Sequence, residues 1–185
     1  MHHIKYELMN DILSLVEKEE VKDIFNIGYI DHDNEISVFV PLLNIVFLEF
    51  ETKYLRIQRK QTTDFEIDLK LIGKNELPTA VKENEIDDYP VCISSLSGMF
   101  LYEDRTNNFI EKVEMYVNND EAYRDLRVKC LGFKIGNNSY VFFDPLSWNA
   151  MEIGKIEERD KWFREIPNRI HNNSLLFKSW MKKKK

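Results

Sequence analysis

The sequence predicts an α+β fold: an N-terminal helix, a mostly antiparallel β-sheet of seven or more strands built from hairpins, and C-terminal helices. Three observations carry this. Ile4, Leu8, Ile12 and Leu15 fall four, four and three apart, which draws one apolar stripe down a helix. Leu55 and Ile57, then Phe65, Ile67, Leu69 and Leu71, alternate with polar residues, the pattern of half-buried strands. Gly136-Asn137-Asn138 separates two apolar runs and suits the positive φ of a hairpin turn.

In order along the chain, the stripe predicts a helix over 4–19, closing at Glu17-Lys18-Glu19-Glu20. Residues 22–40 read as a hairpin about the polar turn Asp31-His32-Asp33-Asn34, and Pro41, which has no N–H to donate, belongs at a strand end or edge. Ile45 to Phe50 is nearly all apolar, as in a strand covered on both faces. Residues 53–72 form the clearest hairpin, expected to set Ile57 across from Ile67 and Arg56 across from Asp68, a favourable cross-strand pair. Gly73 to Tyr89 reads as a long connection with room for one helical turn. Val91 to Leu96, Phe100 to Tyr102, Phe109 to Val117, Leu126 to Ile135, Ser139 to Phe143 and Met151 to Ile153 are further strands. Lys155 to Ile166 turns helical, Pro167 ends it, and residues 170–181 form a last helix before a frayed tail, Lys182 to Lys185.

Composition bounds the function. With 185 residues, 43% hydrophobic and 31% charged, the chain can bury a core without staples and reads as one domain over 1–185. No window approaches the 18 or so uncharged apolar residues of a membrane span. The N-terminus lacks the apolar stretch of a secretory signal, so a cytoplasmic location is expected. Cys92 and Cys130, both within apolar runs, are expected to be free, buried thiols. The net charge is -6, and -10 without the four terminal lysines. Such a field repels nucleic acid and anionic lipid and favours a cationic partner.

No catalytic constellation emerges, and no cofactor or metal is assigned. The four histidines lack metal-binding spacing, and Asp31-His32-Asp33 is explained by a turn. Ser94-Ser95-Leu96-Ser97-Gly98 is not a nucleophile elbow, and the apolar neighbours of Cys92 and Cys130 do not activate a thiol. Phosphate-cradling glycine loops are absent. With 32 acids some carboxylates will be close in any fold, so proximity alone carries nothing. Two interaction candidates stand out: the acidic segment Glu83, Glu85, Asp87, Asp88 and Tyr89, whose charge would steer a basic partner that the aromatic anchors, and Trp148, just after Asp144-Pro145.

In size, acidity, β-rich organisation with terminal helices, and phrases such as Tyr140-Val141-Phe142-Phe143-Asp144-Pro145, the chain resembles the small acidic immunity proteins that bacteria keep beside polymorphic toxins. That resemblance implies a non-catalytic protein that binds and blocks a basic toxin, often a nuclease. Two other readings remain open: a hydrolase-like enzyme with a carboxylate and tyrosine pocket, and a phage-derived or structural assembly module. The oligomeric state is not legible in the sequence.

Overall fold

The computed structural model describes residues 2–32, 36–60, 66–84, 89–101, 107–118, 120–124, 126–136, 139–145, 151–169 and 176–182. It opens with helix α1 (His2–Lys18), as the apolar stripe predicts, with Met9, Ile12, Leu15 and Val16 buried. Two five-stranded antiparallel sheets follow. The first contains β1 (Asp23–Asp31), β2 (Val38–Glu49), β3 (Lys53–Arg59), β4 (Ile67–Gly73) and β5 (Val91–Ser95), in the order β4-β3-β2-β1-β5. The second contains β6 (Ile110–Val117), β7 (Cys130–Ile135), β8 (Ser139–Asp144), β9 (Glu152–Gly154) and β10 (Leu176–Met181), in the order β10-β6-β7-β8-β9. The strands are linked along the chain by a 3₁₀ turn (Lys74–Glu76), α2 (Leu77–Lys82), α3 (Ser97–Phe100), α4 (Asp120–Arg124) and α5 (Ile156–Arg169).

The inner faces of both sheets share one core. Ile24, Val46, Leu55 and Ile57 from the first sheet belong to the same buried cluster as Val113, Leu131, Phe133 and Phe143 from the second, together with the buried side of α1. Each outer face has its own cover. Phe25, Ile27, Phe47 and Tyr54 pack with Ala80 of α2, and Tyr116, Cys130 and Phe142 pack with Trp162 of α5. The layers are therefore helix, sheet, sheet, helix, which explains why 45–48 is apolar at every position. The sheets also meet through backbone: Ile67 N–H donates to the Val128 carbonyl at 2.8 Å, and Val21 N–H to the Asn108 carbonyl at 3.0 Å. The first junction carries a buried ion pair, Lys129 to Glu66 at 3.6 Å.

Several expectations need correction. The β3–β4 hairpin forms, but Ile57 pairs with Leu69 and Arg56 with Lys70, two residues from the expected register. A shift of two leaves every side chain on its own face, so alternation cannot detect it. Arg56 Nη2 still lies 3.5 Å from Asp68 Oδ2, now as a diagonal neighbour. Pro41 sits inside one long strand, β2, opposite Gly28, beside a register irregularity in which residues 42–45 of β2 stand against Ile27 alone in β1. Pairing of β2 with β3 begins only at Ile45, so no ladder bond is asked of the proline on that side. Residues 97–100 form the short helix α3 rather than the start of a strand at Phe100. The helix expected over 170–181 is replaced, over 176–181, by strand β10 on the free edge of β6. Its short apolar run fits either period, and the unpaired neighbouring strand decides the outcome. Helix α5 continues past Pro167 to Arg169. Both cysteines are free, but only Cys130 is buried; Cys92 is half-buried on β5.

Candidate functional site

The acidic segment follows α2, which packs across the outer face of the first sheet. Glu83 is exposed at the end of that helix, its N–H donating to the Thr79 carbonyl at 3.0 Å. Tyr89 is 40% exposed, and its ring centroid lies 5.3 Å from that of Tyr29 in β1. Register places the neighbours. Tyr29 pairs with Val91 on one side and Val40 on the other, Ile27 pairs with Ile93, and Asp31 with Val38. Tyr29, Val38, Val40, Val91 and Ile93 therefore share the outer face with Tyr89 beside them. Of these, Ile93 is 53% and Val38 49% exposed, and Ile36, two residues before Val38, is 75% exposed. Half of the large apolar side chains exposed among the described residues gather at this corner, which isolated surface hydrophobics do not do. Glu85, Asp87, Asp88 and Trp148 lie outside the described residues.

A second site, missed by sequence reasoning, lies on the outer face of the second sheet under α5. Lys112, Glu114 and Tyr116 alternate along β6 with the core residues Val113, Met115 and Val117, so their face reads as solvent-facing in the sequence. Helix α5 covers it instead. The Glu114 side chain is 2% exposed and accepts from Lys112 Nζ at 2.5 Å and from the Tyr140 hydroxyl, while Arg159 Nε lies 3.1 Å away. Arg159 Nε also donates to the Tyr116 hydroxyl at 3.3 Å, and its guanidinium stands 5.1 Å from the centre of the Phe163 ring. Gly132, directly opposite Glu114 in β7, makes this possible: a Cβ there would collide with the Tyr140 phenol. A glycine inside a strand is the sequence signal of such a close approach.

No known protein family, curated protein or solved structure matches this chain. Function must be read from these two places alone.

Electrostatics separate them. Burial pushes the Glu114 carboxyl up, but the Lys112 and Tyr140 hydrogen bonds and the charges of Arg159 and Lys112 outweigh it, leaving it below the ordinary carboxylate value. Burial, the Glu114 hydrogen bond and the Glu114 charge push Tyr140 up; burial also raises Tyr116, to about 12. Burial would lower Arg159, yet its Tyr116, Tyr140 and Glu114 neighbours raise it. Near neutral pH the carboxylate stays ionised, the phenols stay neutral and the guanidinium stays charged. None is poised to exchange a proton there, which is what general acid–base catalysis needs. Glu114 also lines neither of the two clefts on this side, one at Phe142, Asp144 and Trp162, the other at Met99, Phe100, Tyr140 and Ile156. The cluster fastens α5 to the sheet. Among the described residues no group of His, Cys, Asp and Glu could hold a metal ion, and no helix is long and apolar enough to cross a membrane.

Proposed function

We propose that the protein is a non-catalytic, cytoplasmic binding protein that takes a basic protein partner on the outer face of its first sheet, around Tyr89. The observation that carries this reading is the exposed Tyr89–Tyr29 pair, with Ile93 and Val38 bare beside it, directly after an acidic stretch of chain. Charge raises the rate of encounter, while a packed aromatic surrounded by apolar area supplies affinity. Glu114, 2% exposed and enclosed by Lys112, Tyr140 and Arg159, has no opening to a substrate, which favours a structural part for this cluster. A basic toxin domain is the partner class that the resemblance to immunity proteins implies.

The test is capture from a lysate of the native cell at low and high salt, comparing the wild type with two variants. One reverses Glu83, Glu85, Asp87 and Asp88 to Lys; the other is Tyr89→Ala. The expected result is one basic protein released by salt, retained poorly by the charge-reversed chain and shed faster by Tyr89→Ala. Equal retention by all three chains removes this surface from the reading.

A further inference from the structure

Three segments far apart in the chain meet at one end of the second sheet: α3, the start of β8 and the start of α5. Between them lies a cleft of about 150 Å³, room for a ring the size of benzene. Two of its walls are fixed. Phe100 is 3% exposed, while the Tyr140 hydroxyl donates to Glu114 and the Arg159 guanidinium stands 5.7 Å from the Tyr140 ring centre. Met99 and Ile156 complete the apolar lining, yet they are 59% and 38% exposed, so apolar surface borders an unfilled space. An unbranched methionine at the mouth adapts its shape to what enters.

The rim is charged with both signs. Lys155 and Glu157 also line the cleft, on either side of Ile156 in sequence, and both are exposed. Residues two apart at a helix start do not face each other, so they do not neutralise each other. Neither has an ion-pair partner among the described residues, whereas Lys112 and Lys134 on the sheet nearby are paired with Glu114 and Glu111. An apolar hollow edged by one unpaired cation and one unpaired anion is complementary to a small zwitterion that carries an apolar group. A metal ion or a phosphate would meet a charge of its own sign on one side of this rim.

We propose that this cleft binds a free α-amino acid with an apolar side chain of phenylalanine's size. The side chain fills the hollow between Phe100, Tyr140 and Ile156 beneath Met99, the α-carboxylate meets Lys155, and the α-ammonium meets Glu157. The site is separate from the Tyr89 corner. Val91, nearest Tyr89, pairs with Tyr29 at one end of β5, and Ser95, which leads into α3, pairs with Phe25 at the other. A small-molecule site therefore adds to the protein-binding role and does not depend on it.

The test is titration of the whole chain with L-phenylalanine, read by the backbone amide NMR shifts of 99–100, 139–140 and 155–157. Three comparison probes each lack one part: phenethylamine the carboxylate, 3-phenylpropanoate the ammonium, and glycine the side chain. The expected result is saturable binding of phenylalanine in the millimolar range or tighter, with shifts centred on the cleft and none for glycine. Each singly charged analogue should bind about tenfold more weakly, the loss of one charge-assisted hydrogen bond. Lys155→Met should erase the advantage of phenylalanine over phenethylamine, and Glu157→Gln its advantage over 3-phenylpropanoate; both positions are exposed, so the variants fold. Absence of saturable shifts at the cleft overturns the proposal. Equal binding of phenylalanine and both analogues, or analogue differences that neither variant changes, overturns the amino-acid assignment. All of these outcomes leave the reading of the Tyr89 surface as it stands.

Discussion

Arg159 of α5 reaches across to Glu114 of β6, 3.1 Å from Nε to Oε2, and the carboxylate it meets is already held by Lys112 and Tyr140. Helix α5 therefore docks by a polar clamp as well as by the burial of Trp162, whose ring lies 5.5 Å from Tyr116 and 5.9 Å from Phe142. Removing one member of such a cluster leaves another buried and underpaired. Arg159→Met should lower stability by about 2 kcal/mol and Glu114→Leu by about 3 kcal/mol, since the second strands two donors and a tyrosine. Urea unfolding reads both, and near-wild-type midpoints would mean that α5 is held by Trp162 alone.

The pH dependence follows from the depressed Glu114 carboxyl. Its folded value lies below the ordinary 4.5, so the unfolded chain takes up this proton first as pH falls. The contribution is complete above the unfolded value and drains away as pH drops through the folded one. As pH falls through the ordinary carboxylate range and below it, the wild type should lose more stability than Glu114→Gln, whose group does not titrate. Parallel curves of stability against pH would show that the clamp contributes no such linkage.

Gly132→Ala places a Cβ against the Tyr140 phenol. Tyr140 cannot retreat without releasing Glu114, so the expected cost is about 2 to 3 kcal/mol. In a Tyr140→Ala background the same substitution should cost much less, a coupling that a double-mutant cycle measures. Additive costs would place the strain elsewhere.

Strand β10 closes the edge of β6, pairing Leu176 with Val117 through Met181 with Lys112, and Trp180 packs on the shared core. Deleting 176–185 should cost about 3 kcal/mol or more and leave β6 as a bare edge prone to self-association. Light scattering and thermal unfolding check this. A monomer of unchanged stability would contradict it.

Much of the fold was legible in the residues. The stripe Ile4, Leu8, Ile12, Leu15 gives α1, the alternation from Leu55 to Leu71 gives β3 and β4, and the loop that starts at Gly136, with φ of 56°, joins β7 to β8. Less of the candidate sites was. Tyr89 was identifiable as an aromatic after an acidic run, but its partner Tyr29 and the bare Ile93 come from other strands. Glu114 was disguised: a polar residue between Val113 and Met115 is what a solvent face requires, and only the arrival of α5 makes that face an interior.

By itself, the sequence determined the α+β class and which side chains share a face, because helix and strand periods are written in the spacing of apolar residues. Tertiary structure decided which strands are neighbours, their register, and whether a polar face meets water or a helix. The register of β3 on β4 slipped by two without moving any side chain to the other face, and 176–181 became a strand because β6 offered it an edge. These choices are set by pairing between distant segments, and local spacing is indifferent to them.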